Sequence, residues 1–192
     1  MADGVSVTHV RLRWVVTIAA GLVFLTEQVS PSAAAAPAKV KKLGVTSPAF
    51  ANNKPIPSGF TCDGENASPP LKLAKAPKGT KDRTLIMTDP DAPRGTITHW
   101  VAWNLPKSGV PEQTLPAAVV QGTNTLGNAA YAGPCPPAGS APHHYVFTVS
   151  AVSKKITLAP GASADDLRAA IEGNVLAQGT LIGTYQRGTG AR

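Results

Sequence analysis

Cysteine is scarce in this chain: among 192 residues there are two, Cys62 and Cys135. They form no Cys-x-x-Cys pair, and no His-x-x-x-His spacing accompanies them, which excludes the common zinc sites. Long hydrophobic runs are also missing. The longest candidate, Trp14 to Leu25, is 12 residues, and a membrane helix needs about 20. There is no nucleophile elbow, no His-Glu-x-x-His, no P-loop and no internal repeat. Acidic residues are in the minority, 11 against 18 basic ones, for a formal charge of +7. Such a surface favours anionic partners in general. It is not a nucleic-acid signature, because the lysines are scattered and the longest basic cluster is Lys39-Val40-Lys41-Lys42.

Glycine and proline are plentiful at 18 residues each, and hydrophobic residues make up 43% of the chain. The chain therefore suits one loop-rich domain rather than a helical bundle. Its N-terminus has the build of an export signal. Arg11 and Arg13 precede the uncharged Trp14–Leu25 run, and small residues follow to Ala38. Residues 1–38 are expected to be a signal peptide, cut after Ala35 or Ala38, since Pro37 disfavours cleavage directly before it. The leader carries two charges of each sign, so its loss leaves the balance unchanged. The mature protein would be periplasmic or secreted, with no stable membrane insertion. In that oxidising setting Cys62 and Cys135 are disulfide candidates; two small buried thiols are the other possibility.

Residues 39–46 look like a basic, flexible lead-in, 47–187 the domain and 188–192 a tail. Thr84–Thr88, His99–Leu105, Tyr145–Ala151 and Thr180–Tyr185 have strand composition. Residues 107–142 are mostly loop. One helix is expected after Ser163, with Leu167, Ile171 and Val175 on one face and an end near Gly179. Many short strands and one late helix argue for a β-sandwich or barrel.

Two clusters carry polar chemistry. Asp89-Pro90-Asp91-Ala92-Pro93 leads to His99-Trp100, and Gly133-Pro134-Cys135-Pro136-Pro137 leads to His143 and Tyr145. Proline stiffens both loops, so the side chains have little entropy left to lose. If the strands opened by His99 and His143 are neighbours, both imidazoles meet at one sheet edge. A carboxylate beside an imidazole fixes its tautomer and favours its charged form. Gly133 would let a backbone N–H approach an oxyanion. The same groups permit acid–base or metal chemistry, and a free Cys135 near His143 could act as a nucleophile.

These residues resemble those of bacterial members of the phosphatidylethanolamine-binding protein family, also called Raf kinase inhibitor-like proteins. Its carriers are Phe60–Asn66 with Ser68-Pro69-Pro70-Leu71, Asp89–Pro93, His99-Trp100 with Asn104-Leu105-Pro106, Gly133–Pro137, and His143 with Tyr145. The likeness spans about Ser47 to Arg187. It implies a mainly β fold, an antiparallel β-sandwich with one or two short helices. It also implies a small anion pocket for phosphate or phospholipid head groups, built from Asp89, Asp91, Pro93, His99, Gly133, Pro136, Pro137, His143 and Tyr145. His144 stands where relatives usually have arginine. On this resemblance the protein is expected to bind and not to catalyse, with no catalytic residue, metal or cofactor. The alternatives are a protein-interaction module inhibiting a kinase or protease and, further off, a metal-dependent phosphoesterase.

Overall fold

The computed structural model describes residues 39–189. The expected signal peptide, residues 1–38, and positions 190–192 of the expected tail lie outside the described residues. In chain order the strands are β1 (Lys41–Lys42), β2 (Val45–Thr46), β3 (Lys54–Pro55), β4 (Leu71–Leu73), β5 (Asp82–Asp89), β6 (Ile97–Trp103), β7 (Gly109–Val110), β8 (Val120–Gly122), β9 (His143–Val152) and β10 (Val175–Tyr185). A 3-10 turn spans Ser58–Phe60, and helix α1 spans Ala164–Ile171.

The large sheet runs β1-β10-β9-β5-β6-β8, with β3 also paired to β10, and the small sheet runs β2-β4-β7. The long pairs are antiparallel; only the two-residue edges β1 and β3 lie parallel to β10. Alternation along the long strands makes two faces. Leu85 and Met87, Trp100 and Ala102, and Tyr145, Phe147 and Val149 point one way, into a core shared with Val45 and Leu71 of the small sheet and with Val110. Ile86, Val101, Trp103 and Val152 point the other way, beneath Leu167 and Ile171 of α1. This is a mainly β sandwich whose outer face carries one short helix.

Three local expectations need correction. The supposed flexible lead-in is paired structure: β1 and β2 lie in it, Leu43 is buried, and its N–H donates to the Gln178 carbonyl at 2.9 Å. The helix ends at Ile171, well before Gly179. Glu172 turns extended, Gly173 takes φ +68°, and Val175 opens β10 opposite Val152. A left-handed glycine just past the last turn is a common helix stop, and it overrides the apolar spacing that Val175 continues. β6 begins at Ile97 and ends at Trp103, before Asn104, which has φ +60°. The helix start is as expected. The Ser163 hydroxyl accepts from the Asp166 N–H, and the Asp166 carboxylate accepts from the Ser163 N–H, a complete capping box.

Candidate functional site

Three strand ends converge at one end of the large sheet. β5 finishes at Asp89, β6 starts at Ile97 opposite it, and β9 starts at His143. The strands bearing the two histidines are not neighbours, because β5 lies between β6 and β9. The carboxylate of Asp89 thus enters between the two imidazoles in strand order.

His99 reaches this site through a bulge. The β5–β6 register steps from Met87 opposite Trp100 to Thr88 opposite Thr98, leaving His99 as an extra residue. Strict alternation would put it with Val101, under the helix. The bulge re-aims it, as bulges do beside functional sites. Its ring meets Tyr145, a residue of the inter-sheet core, edge-on at 5.2 Å. The Thr98 N–H donates to the Thr125 hydroxyl at 2.8 Å, and the Thr125 N–H donates back to the Thr98 carbonyl at 2.9 Å. Those bonds brace the bulge with the loop that Asn124 organises through its own side-chain amide.

A cavity of about 260 Å³ opens here. Seven of the nine expected residues line it: Asp89, Pro93, His99, Gly133, Pro136, Pro137 and His143. Asp91 and Tyr145 do not. The Asp91 carboxylate turns outward and accepts from both the backbone N–H of His144, at 2.7 Å, and its Nδ1, at 2.8 Å. These bonds hold Asp91 below the usual carboxylate range. Tyr145 is wholly buried, and its hydroxyl has no hydrogen-bond partner of good geometry among the described residues. Burial first, and the Asp89 charge second, push its phenol pKa up, against the Cys135 backbone.

Sequence reasoning missed Ala92, Arg94, Ile97, Leu126 and Cys135 as wall residues. Arg94 had a signal, a lone cation directly after the Asp-Pro-Asp-Ala-Pro run. Leu126 had none; it is a largely exposed leucine at 62%, placed by a loop that only the fold brings here.

Hydrogen bonds orient both rings. The His143 Nδ1–H donates to Asp89 Oδ2 at 2.8 Å, while Asp89 Oδ1 accepts from the Asp91 N–H at 2.9 Å. The His99 Nδ1–H donates to the Ala132 carbonyl at 2.8 Å, since a carbonyl only accepts. His99 Nε2 is buried without a partner. Burial lowers the His99 pKa, outweighing the Ala132 carbonyl and the Asp89 charge, which both favour the charged ring.

Gly133 does not act as expected. Its N–H donates to Asn66 Oδ1 at 2.7 Å, so it is not left for an oxyanion. Glycine is required by close packing. A Cβ there would lie 2.5 Å from Asn66 Oδ1 and 2.7 Å from the Phe60 carbonyl oxygen. The loop is fastened further by Tyr131, whose hydroxyl donates to the Phe60 carbonyl, and by a Cys62–Cys135 disulfide with Cα atoms 5.4 Å apart. Bridged, Cys135 has no thiol to act as a nucleophile. Among the described residues no three His, Cys, Asp or Glu side chains are grouped to hold a metal ion.

Larger depressions exist. One of about 520 Å³ lies among Thr96, Thr98, Thr123 and the start of α1, and another of about 550 Å³ lies beside β1 and β10. None of the described buried polar atoms without a partner belongs to a residue lining either. The smaller cavity holds the unsatisfied imidazole, and an orphaned buried polar atom is the better mark of a missing ligand.

A mainly β sandwich with a small, stiff-walled polar cavity at one end of its large sheet is the class of molecule that the fold and the site define. The chain belongs to the phosphatidylethanolamine-binding protein family, whose model matches residues 46–186. Members of this family are in general binders rather than catalysts. The chain is 44% identical over 146 residues to UPF0098 protein PH1269 of Pyrococcus horikoshii, covering 72% of this chain and 74% of that one. It is 37% identical over 159 residues to LppC of Mycobacterium tuberculosis, named as a candidate lipoprotein, covering 82% and 76%. The crystal structure of CT736 from Chlamydia trachomatis, described as a phosphatidylethanolamine-binding protein homologue, superposes with a TM-score of 0.72 at 34% identity, covering 77% of this chain and 99% of that one.

Proposed function

We propose that the protein is an exported, non-catalytic binder that captures a small phosphate-bearing anion in the cavity between Asp89, His99 and His143. One observation carries this reading. Two buried imidazoles line a preformed cavity, each fixed through Nδ1 and each with Nε2 uncommitted to any described protein group. Arg94 in the wall supplies a guanidinium, whose planar donors suit phosphate oxygens. Ile97, Leu126, Pro136 and Pro137 give the wall an apolar side for the rest of a head group. Export is supported by the leader pattern, by the disulfide, and by the lipoprotein naming of the mycobacterial relative.

The test is calorimetric titration of the purified protein with phosphate and with phosphoethanolamine, at pH values on either side of about 6.5, the ordinary histidine pKa. Binding that weakens as the pH rises is the expected result. No heat at any pH would leave the cavity without this role and favour a protein partner, a kinase or protease, docking elsewhere.

A further inference from the structure

The donors and acceptors of the cavity wall do not balance for a fully deprotonated anion. The backbone offers little: Pro93, Pro136 and Pro137 have no N–H, and the Gly133 N–H is engaged by Asn66. Asp89 is a carboxylate, an acceptor only. The Ala132 carbonyl fixes His99 with its proton on Nδ1, so in the neutral ring Nε2 presents a lone pair. His143, whose Nδ1–H donates to Asp89, likewise presents a lone pair at Nε2 unless it is protonated. Among the described residues Arg94 is the one permanent cation in the wall. A ligand without a proton of its own would leave His99 Nε2 unsatisfied, and such a buried acceptor is costly.

Resting on the anion role proposed above, we propose that the cavity takes its phosphate protonated, with a P–OH donating to His99 Nε2 while Arg94 meets the charged oxygens. His99 is then the residue that sets specificity. The ligands admitted are phosphoric monoesters, which keep an acidic P–OH below their second pKa of about 6, and inorganic phosphate, which keeps a P–OH even as its dianion. Sulfate and phosphodiesters have no such hydrogen at neutral pH and are rejected. An intact diester lipid head group is on this account a poorer ligand than the monoester derived from it.

The ionisable groups facing His99 are Asp89 from β5, Arg94 from the loop after it, and His143 and Tyr145 from β9. The Gly133–Pro137 wall adds none, because Cys135 is bridged. Burial holds the His99 ring neutral to lower pH than an ordinary histidine, which keeps Nε2 an acceptor where the phosphate still carries its proton. Rising pH removes that proton from a monoester, so its affinity falls, whereas inorganic phosphate keeps one P–OH as the dianion.

The experiment compares four probes by calorimetry at about pH 6 and about pH 8: inorganic phosphate, sulfate, phosphoethanolamine and glycerophosphoethanolamine. At the lower pH the two P–OH ligands are expected to bind at least roughly tenfold tighter than sulfate and the diester. Histidine-ring ¹⁵N spectra of the wild-type protein, which need no variant, are expected to show His99 Nε2 as a lone-pair nitrogen that becomes hydrogen-bonded on addition of phosphate. The His99→Asn variant keeps a donor for Ala132 and lacks Nε2; it is expected to lose the preference for phosphate over sulfate. Equal binding of all four probes, or phosphate binding without change at Nε2, would overturn the inference and leave the anion pocket standing. Binding of none would overturn both.

Discussion

His99 is a buried imidazole with one nitrogen satisfied and one not, and its environment fixes what it does with pH. The unfolded residue takes up a proton near pH 6.5, while the folded one does so only at lower pH. Between those values the unfolded state binds more protons. The contribution of His99 to stability is thus full above about pH 6.5 and is lost as pH falls through the window, by at most about 1.4 kcal/mol per pH unit. Urea melts between about pH 7.5 and about pH 5 are expected to show this decline, and His99→Asn to flatten it. A second expectation concerns the ligand. His99→Ala should weaken phosphate binding by roughly tenfold or more while leaving the far-UV spectrum of a folded sandwich; unchanged affinity would contradict the role given to the ring. The sequence exposed most of these residues because chemistry was written in their types: aspartate, histidine and glycine beside proline. It misassigned two roles. Asp91 and Gly133 have the right types, but their polar groups are engaged by His144 and Asn66, partners 53 and 67 residues away in sequence.

At the scale of elements, strands were legible and their order was not. The short apolar run in Thr84–Thr88 and the alternation in Tyr145–Ala151 mark buried strands, because both patterns are local. Which strand lies between which is decided by long-range pairing, so the placing of β5 between the histidine strands had no local sign. The bulge was equally silent, since one extra residue in Thr98-His99-Trp100 changes no composition. The loop wall depends on close packing: Gly133→Ala is expected to destabilise the domain by about 1–3 kcal/mol, because the clash is largely with backbone that has little room to move. Denaturant midpoints check this, together with a loss of phosphate affinity that a remote destabilising change would not cause. At the far end, Ser163→Ala removes the capping box of α1 and should cost about 1 kcal/mol with binding intact. The pair separates damage to the cavity from damage to the fold.

For the whole molecule, two distant ties hold the site end and the opposite end of the large sheet. Asp82, buried at the start of β5, accepts from the N–H groups of Arg83, Asn104 and Ile156 at 2.7, 2.9 and 3.0 Å. It thereby joins the end of β6 to the segment after β9, a role with no motif to announce it. The Cys62–Cys135 bridge closes a separation of 73 residues. Reduction is expected to lower stability by about 2–4 kcal/mol. It should also weaken anion binding, since Cys135 is part of the cavity wall; thermal melts and titrations with and without reductant check both. The sandwich itself was readable from the density of short strands and turn residues. The family likeness joined into one expected pocket the two proline-rich clusters that residue chemistry alone brought together only if their strands were neighbours.

The Asp89–His99–His143 cavity is proposed above to bind a phosphate-bearing anion. Titration of the wild-type protein with phosphoethanolamine in a calorimeter, from about pH 6 upward through the ordinary histidine pKa, decides whether it does. Saturable heat is expected at the acidic end, with an affinity that falls steadily as the pH rises. Absence of saturable binding at every pH, or an affinity that climbs with pH, would contradict it.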